Sequence, residues 1–259
     1  MVSVAEVNAI AELLDEAARR RTPTPQLAAR GHQLSVPEAY AVQAELIRRR
    51  ERRGEQLVGI KMGFTSEAKR TQMGIADLIW GRLTDAMCLR SGARTSLADY
   101  IHPRIEPEVA FRLGRPLQGA VSRAEAAAAV EAVAPALEII DSRYRDFRFS
   151  LADVIADNSS SAAVVVGEWR ALPEELARLS IVMSFDGRAV QSGSTAAIMG
   201  DPLLSLVAAA RLAGEAGLTL APGWLVMAGG ATAAESLAAP VQVSAEVEAL
   251  GRVQIEVLA

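Results

Sequence analysis

Cysteine and histidine are scarce in this sequence, and their scarcity excludes several kinds of site. The chain of 259 residues has one cysteine, Cys88, and two histidines, His32 and His102. One cysteine cannot form an internal disulfide framework or a thiolate metal cluster, and we interpret it as a buried structural residue. Two histidines do not suffice for a histidine-rich zinc site. Either could serve a Ser-His-Asp triad, but no Gly-x-Ser-x-Gly motif accompanies them, so we interpret both as structural or surface residues.

A basic surface and a long apolar segment are also missing. The 27 basic and 31 acidic residues leave a formal net charge of −4, whereas nucleic-acid binding needs a concentrated basic face. The N-terminus lacks a basic start followed by an apolar run, and no uninterrupted apolar run approaches the roughly 20 residues of a membrane helix. We therefore expect a cytoplasmic protein without a nucleic-acid or membrane partner.

Helical and strand patterns divide the chain near Gly54. Apolar residues recur at helical spacing near the N-terminus, and Ser35 with Glu38 forms a capping-box pattern before a second helix, which ends in a basic cluster at residues 48–53. We interpret that cluster as a solvated helix end. Further helices are predicted after Ser122 and Asp201. Strands are predicted at residues 56–61, 105–113, 136–140, 162–166, 181–185, 188–191, 224–228, 241–247 and 253–257.

This pattern predicts the fold class. About half of the residues (51%) are apolar, which suffices for a sizeable core. The irregular alternation of strands and helices argues against a Rossmann or TIM fold. We expect an α+β, mixed, strand-rich fold with a helical portion at residues 1–54 and a mixed β domain at residues 55–259, joined in one compact unit.

Three glutamates are the strongest candidates for chemistry. Glu106 and Glu108 are two residues apart in a predicted strand, so their side chains share one face while Ile105 and Val109 point to the other. Two like charges in a buried strand repel and lose hydration, and a hard cation with oxygen ligands offsets both costs. Glu138 lies among apolar residues, where an isolated carboxylate is unfavourable. Oxygen-only ligation favours Mg²⁺ or Mn²⁺ over zinc.

Simpler interpretations stay open on spacing alone. Glu106 and Glu108 could lie on the solvent face of an edge strand, where Pro107 is tolerated. Arg143 could neutralise Glu138. Three further features each have a functional and a simpler explanation. Lys61 either meets an anion or is solvent-exposed, and Gly229-Gly230 either brings N–H groups near a carboxylate or only forms a turn. Residues 157–161 either bind a ligand or only form a polar loop.

Four segments, in this order, resemble one known family. They read GIKMGFTS (59–66), HPRIEPEVAF (102–111), ALEIIDSR (136–143) and ADNSS (156–160). Together they resemble the 2-keto-4-pentenoate hydratase and 4-oxalocrotonate decarboxylase family, part of the fumarylacetoacetate hydrolase-like superfamily. The resemblance extends from about residue 35 to the C-terminus.

The resemblance implies a fold and a site. It implies a mixed β fold of the fumarylacetoacetate hydrolase type with a helical N-terminal portion, and a Mg²⁺ or Mn²⁺ site with Glu106, Glu108 and Glu138 as ligands. It implies that Lys61 lines the active site as the catalytic residue. The substrate-binding residues expected from the same motifs are Thr65, Ser66, Arg143, Asn158, Ser159 and Ser160.

Within the family, the stretches at residues 61–66, 67–74 and 141–149 look like the decarboxylase branch, since hydratases more often carry Lys-Val-Gly and a tryptophan in place of Phe147. The implied reaction is decarboxylation of 2-oxo-3-hexenedioate (4-oxalocrotonate) to 2-hydroxypenta-2,4-dienoate, or its keto tautomer 2-oxopent-4-enoate, and CO₂, in the meta-cleavage of aromatic compounds. Arg143 and Arg145 are candidates for the substrate's second carboxylate.

Two other functions are carried as alternatives. One is a hydratase that adds water to the same dienoate, and the other is a non-catalytic protein that binds a 2-oxo acid. For all three we expect a small 2-oxo acid ligand and a homo-oligomer. The decarboxylase would also be able to associate with the hydratase that acts next.

Overall fold

The computed structural model describes residues 2–66 and 78–259. Within them, five α-helices are present: α1 (Val4–Arg20), α2 (Val36–Glu51), α3 (Arg123–Ala129), α4 (Leu151–Ala156) and α5 (Pro202–Glu215). The strands are β1 (Leu57–Gly63), β2 (Ile79–Thr84), β3 (Cys88–Arg90), β4 (Ala93–Ser96), β5 (Arg104–Leu113), β6 (Val130–Ile140), β7 (Ser161–Val166), β8 (Ser180–Phe185), β9 (Arg188–Ser194), β10 (Leu225–Met227), β11 (Glu235–Ser236), β12 (Val241–Val247) and β13 (Gly251–Leu258). The predicted α+β, strand-rich fold class is confirmed.

The two N-terminal helices begin at polar caps and pack onto the rest of the chain. Ser35 and Glu38 form the predicted capping box of α2. The basic cluster at its end is engaged by carboxylates, and the Arg53 guanidinium bonds both oxygens of Asp15 at 2.7 and 2.8 Å. Apolar faces of α1 and α2 share one buried cluster with α4 and Tyr144. The division at residue 54 itself stays a prediction.

The larger sheet places β5 and β6 at its centre. Its strand order is β2-β1-β10-β5-β6-β7-β3, with the short β11 also paired to β5. β1 runs parallel to β10 and β3 parallel to β7, while the other pairs are antiparallel. Because β5 pairs with β6 on one side and with β10 and β11 on the other, it is not an edge strand. The edge-strand interpretation of Glu106 and Glu108 is therefore wrong.

The smaller sheet covers part of the larger one. Its order is β4-β13-β12-β8-β9, and it contains the predicted hairpin at Asp186-Gly187 and the closing hairpin of β12 and β13. Ile105 and Ile139 of the large sheet share a buried cluster with Val243 and Ile255 of the small one. Another cluster joins α5 to the large sheet. The site-bearing strands are thus held from several sides.

Some elements differ from the predictions. α3 ends at Ala129, and β6 begins at Val130, six residues before the predicted strand. Residues 130–134 pair with β5, and this pairing overrides their alanine-rich helical composition. The short elements β2, β3, β4, β11 and α4 were not predicted. Cys88 is half-buried rather than buried, and its thiol lies 3.5 Å from the carbonyl oxygen of Thr84.

Among the described residues, one helical stretch, Thr195–Glu215, has the length and apolar composition of a membrane span. However, 56% of its most apolar window is buried inside the structure. Its inner residues, including Leu206 and Ala209, belong to the largest core cluster. This burial is characteristic of a core helix of a globular protein, which passes the same test of length and composition.

Candidate active site

The three predicted glutamates converge on one point between β5 and β6. Glu106 lies directly opposite Glu138 in the antiparallel register, and Glu108 follows on the same face of β5. One carboxylate oxygen from each residue can be chosen so that all three lie within 4.8 Å of one another. Sequence alternation predicted the pairing of Glu106 with Glu108, and the strand register adds Glu138.

These carboxylates are buried, and their charges act on each other. Glu108 and Glu138 are fully buried, and Glu106 is 9% exposed. Burial raises the pKa of Glu108 well above its ordinary value, and the charges of Glu138 and Glu106 raise it further. Burial also raises the pKa of Glu138, although Lys61 acts against that rise. Without a cation Glu108 and Glu138 therefore hold protons more readily than ordinary glutamates, because burial and neighbouring charges raise the pKa of each.

Lys61 supplies positive charge beside the cluster. It lies in β1, is 3% exposed, and its Nζ is 3.1 Å from Oε2 of Glu138. Burial by itself lowers the pKa of Lys61, but the charges of Glu138, Glu108 and Glu106 outweigh burial and raise it. The interpretation of Lys61 as a solvent-exposed lysine is wrong. A single ammonium group cannot balance three carboxylates.

Two glycines let the backbone approach the glutamates. The N–H of Gly229 donates to Oε2 of Glu108 at 2.8 Å. Gly229 has a φ of 105°, and a Cβ there would lie 2.2 Å from Oγ1 of Thr65. A Cβ at Gly230 would lie 2.3 Å from Oε2 of Glu106. The glycine pair after β10 is therefore part of the carboxylate site as well as a turn.

The predicted polar loop after α4 is a buried left-handed turn. Asn158, Ser159 and Ser160 have φ values of 51°, 54° and 56°, which are uncommon for residues other than glycine. The carbonyl oxygen of Ser159 accepts a hydrogen bond from Lys61 Nζ at 3.0 Å. Asn158 instead uses its side chain on the backbone of Arg82 at 2.7 and 2.8 Å. The turn thus holds Lys61 in place.

Arg143 supports this turn from behind. Its guanidinium forms an ion pair with Asp157 and also donates to the carbonyl oxygens of Asp141 and Ser161. The side chain is buried and does not line the cavity described next. The structure therefore argues against direct substrate contact by Arg143, and against its pairing with Glu138.

A cavity of about 400 Å³ opens beside the glutamate cluster, and Glu106 is the glutamate that lines it. Its polar lining includes Lys61, Thr65, Ser66, Glu106, Ser159 and Ser160, whereas Asn158 does not line it. The Ser160 hydroxyl is buried and has no hydrogen-bond partner among the described residues. A buried hydroxyl without a partner is unfavourable, so it is available to a ligand in this cavity.

Arg104 and Phe147 also line the cavity, and the sequence interpretation missed both. The Arg104 guanidinium lies 4.3 Å from the centre of the Phe147 ring, and its side chain is exposed to solvent. Strand alternation could have identified Arg104, because it is two residues before Glu106 and shares that face of β5. Phe147 was noted only as a family marker, and nothing in its spacing predicts that it reaches the cavity.

The donor set fits a hard divalent cation. Oε1 of Glu108 and Oε1 of Glu138 are buried without a hydrogen-bond partner among the residues described. Carboxylate oxygens are the ligands that Mg²⁺ and Ca²⁺ prefer, and such ions stabilise the ionised form of their ligands. A cation at this point would satisfy the unpaired oxygens and offset the repulsion among the three charges.

Comparison with known proteins identifies the family. The family model described as fumarylacetoacetate (FAA) hydrolase C-terminal matches residues 62–258. This chain belongs to that family. Among solved structures, this chain is similar to 4-oxalocrotonate decarboxylase from Pseudomonas putida G7, which was solved in complex with magnesium and adipate. The TM-score is 0.96 at 34% identity, covering 100% of this chain and 99% of that one.

Curated relatives within the family are decarboxylases and hydratases. A 4-oxalocrotonate decarboxylase from a Pseudomonas species is 54% identical over 246 residues, which are 95% of this chain and 96% of that protein. A 2-hydroxypent-2,4-dienoate hydratase from Pseudomonas putida is 34% identical over 211 residues, which are 80% and 95% of the two chains. The predicted family and its fumarylacetoacetate hydrolase-like fold are confirmed. The decarboxylase-like stretch at residues 67–74 lies outside the described residues.

Proposed function

We propose that this protein is a Mg²⁺-dependent carbon-carbon lyase that decarboxylates 2-oxo-3-hexenedioate (4-oxalocrotonate) to 2-hydroxypenta-2,4-dienoate and CO₂. The observation that carries the proposal is the buried cluster of Glu106, Glu108, Glu138 and Lys61, which reaches a cavity sized for a small acid through Glu106 and Lys61. The 54% identity to a 4-oxalocrotonate decarboxylase supports this substrate over that of the hydratases, which are more distant.

The three glutamates are the proposed metal ligands, with Mn²⁺ as a substitute for Mg²⁺. When bound, the metal supplies a Lewis acid that draws electron density toward the 2-oxo oxygen of the substrate. The N–H of Gly229 fixes the orientation of Glu108 through its 2.8 Å hydrogen bond. This support from outside the ligand set keeps a carboxylate oxygen directed at the common point.

Lys61 is the proposed catalytic residue. The C5–C6 bond breaks as CO₂ leaves, and its electron pair moves through the alkene to the 2-oxo oxygen. The ammonium of Lys61, fixed by Glu138 and by the Ser159 carbonyl oxygen, places positive charge near that developing negative charge. Because these contacts exist before the reaction, little reorganisation is needed as charge moves.

The distal carboxylate needs a second cationic group. Arg104 is the candidate, because the described cavity lining contains only Lys61 and Arg104 as cationic side chains. Residues two apart on a strand lie about 6.5–7 Å apart along its axis, a spacing compatible with a six-carbon diacid between the Glu106 region and Arg104. Arg104 thus takes the function that sequence reasoning gave to Arg143 or Arg145.

Other side chains orient the substrate and limit access of water. The unpartnered Ser160 hydroxyl is available as a donor, and Thr65 and Ser66 add hydroxyl groups to the same wall. The apolar part of the wall includes Phe147 and Phe149, whose rings are 5.9 Å apart. Apolar surroundings favour loss of charge from a carboxylate that departs as neutral CO₂.

Location and assembly are part of the proposal. We infer a cytoplasmic homo-oligomer that is able to associate with the hydratase that consumes its product, and no nucleic-acid or membrane partner. The net charge of −4 is consistent with the absence of a nucleic-acid partner. Size-exclusion chromatography with light scattering, with and without such a hydratase, would test both assembly proposals.

The activity is tested by offering the purified protein two substrates with Mg²⁺. We expect CO₂ release from 2-oxo-3-hexenedioate and little hydration of 2-hydroxypenta-2,4-dienoate. Glu138→Gln should abolish CO₂ release, whereas Glu131→Gln, an exposed glutamate of the same strand, should not. Hydration of the dienoate without CO₂ release would instead identify a hydratase, and Mg²⁺ binding with neither reaction would identify a non-catalytic binding protein.

A further inference from the structure

A second cavity lies away from the glutamates, beneath helix α2. Its volume is about 580 Å³, within the range of roughly 300–1,000 Å³ that is usual for small-molecule sites. It lies between α2, β2, α4 and the end of α5, and its wall is mainly apolar. Its aliphatic side chains include Val36, Ala44, Leu78, Ile155 and Leu212. Such a wall suits the hydrocarbon part of a ligand.

A guanidinium group is built into this apolar wall. Arg82 is half-buried, and its Nη1 donates to Oε1 of Gln43 at 2.6 Å. Its Cζ lies 4.5 Å from the centre of the Trp80 ring, which in turn stacks on Tyr40 at 5.4 Å. A neutral amide and an aromatic face compensate a cation only in part, since neither carries a negative charge.

No carboxylate among the described residues forms an ion pair with Arg82. Glu215 is the acidic residue of the cavity wall, and its Oε1 is engaged by Nη1 of Arg211 at 2.8 Å. Burial lowers the pKa of Arg82 to about 10, which still leaves it charged at neutral pH. Glu51 attracts this cation without forming an ion pair with it, and Arg48 repels it. The cavity therefore presents a cation that no carboxylate of the described residues contacts.

The strand geometry fixes this cation toward the cavity. Trp80 and Arg82 are two apart on β2 and share a face, while Gly81 between them faces the opposite side, where a Cβ would lie 2.6 Å from the carbonyl oxygen of Asn158. Asn158 also bonds the backbone N–H and C=O of Arg82. β2 cannot rotate without breaking these contacts, so the guanidinium stays on the cavity side.

We propose that this second cavity binds a small monocarboxylate with an apolar body, whose carboxylate pairs with Arg82 and whose hydrocarbon part lies beside Tyr40 and Trp80. A carboxylate matches the planar donors of a guanidinium and supplies the charge that Gln43 does not. The glutamate cluster selects the opposite chemistry, a cation or a chelating 2-oxo acid. The two sites therefore bind different ligands.

Isothermal titration with benzoate tests the proposal in the Mg²⁺-loaded protein, with saturating oxalate, a chelating dianion that has no apolar part, present to occupy the first cavity. We expect one benzoate site per chain and at least tenfold weaker binding of benzamide, which has the same ring but no charge. Arg82→Met should weaken benzoate binding at least tenfold. Arg112→Met is the matched control, because Arg112 lies 4.8 Å from Trp169 in a similar contact outside this cavity, and it should leave the Kd unchanged.

A second variant keeps the test decisive if Arg82→Met fails to fold. Ala44→Leu fills the cavity from α2 without altering Arg82, and leucine is compatible with a helix. It should also weaken benzoate binding at least tenfold. The proposal is overturned if benzoate does not bind, if benzamide binds equally well, or if folded variants at positions 82 and 44 retain the wild-type Kd.

Discussion

Gly230 and Glu106 are so close that a Cβ on the glycine would lie 2.3 Å from the carboxylate Oε2. Gly230→Ala should therefore displace the Glu106 carboxylate and weaken Mg²⁺ binding at least tenfold, measured by titration calorimetry. Strain from a left-handed backbone does not contribute, because the φ of Gly230 is not positive. Gly114→Ala, whose Cβ would lie 3.2 Å from the Cβ of Glu131 and does not approach the three glutamates, is the control and should bind Mg²⁺ normally. Unchanged Mg²⁺ affinity in Gly230→Ala would remove Glu106 from the ligand set.

Metal removal should lower thermal stability, because three buried carboxylates share only one lysine. At a Mg²⁺ concentration of 100 times Kd, linkage adds about 2.7 kcal/mol, which corresponds to a Tm increase of roughly 5–10 °C for a chain of this size. Thermal denaturation with Mg²⁺ or with EDTA measures this difference. Glu108→Gln should lose most of the Mg²⁺-dependent increase, and an equal response to Mg²⁺ in this variant would contradict the metal site.

Lys61→Met should separate catalysis from metal binding. Removing the ammonium should lower kcat by about 100-fold or more, the usual scale for losing such a catalytic group. It should not weaken Mg²⁺ binding, since a competing cation beside Glu138 is lost. Steady-state kinetics and Mg²⁺ titration on the same preparation measure both quantities. A parallel loss of kcat and Mg²⁺ affinity would indicate that Lys61 is only structural.

Arg104→Gln should affect the dicarboxylate substrate selectively. Loss of the guanidinium should raise KM for 2-oxo-3-hexenedioate at least tenfold, with a smaller change in kcat, because the distal carboxylate loses its partner. Arg145→Gln is the control, as Arg145 is exposed and does not line the cavity. If the two variants behaved alike, Arg104 would have no special relation to the distal carboxylate.

The cluster of three glutamates is the part of the site that the sequence predicted best. Alternation in a strand places Glu106 and Glu108 on one face, and the apolar neighbours of Glu138 show that it is buried. The register that brings Glu138 opposite Glu106 joins residues 32 positions apart, so local periodicity cannot predict it. The family motifs supplied this connection, and the roles of the individual residues stay predictions.

The left-handed conformation of the Asn158–Ser160 turn could not be predicted from the sequence. Polar residues predict a loop, but three successive left-handed residues require outside support, here from the ion pair of Arg143 with Asp157 and the bond from Lys61 to Ser159. Both contacts depend on the folded chain. The ion pair of Arg143 with Asp157 could likewise not be predicted from local sequence. Arg143 was therefore predicted to bind substrate, although its guanidinium is used within the protein.

Decarboxylation itself is tested most directly with 2-oxo-3-hexenedioate labelled with ¹³C at C6, incubated with the protein and Mg²⁺ and followed by NMR. The account predicts that the label appears in CO₂ and bicarbonate, together with unlabelled 2-hydroxypenta-2,4-dienoate or its keto tautomer. It also predicts that Glu138→Gln abolishes this transfer while Glu131→Gln does not. Label that remains in a six-carbon acid with the folded, Mg²⁺-loaded protein would contradict the account.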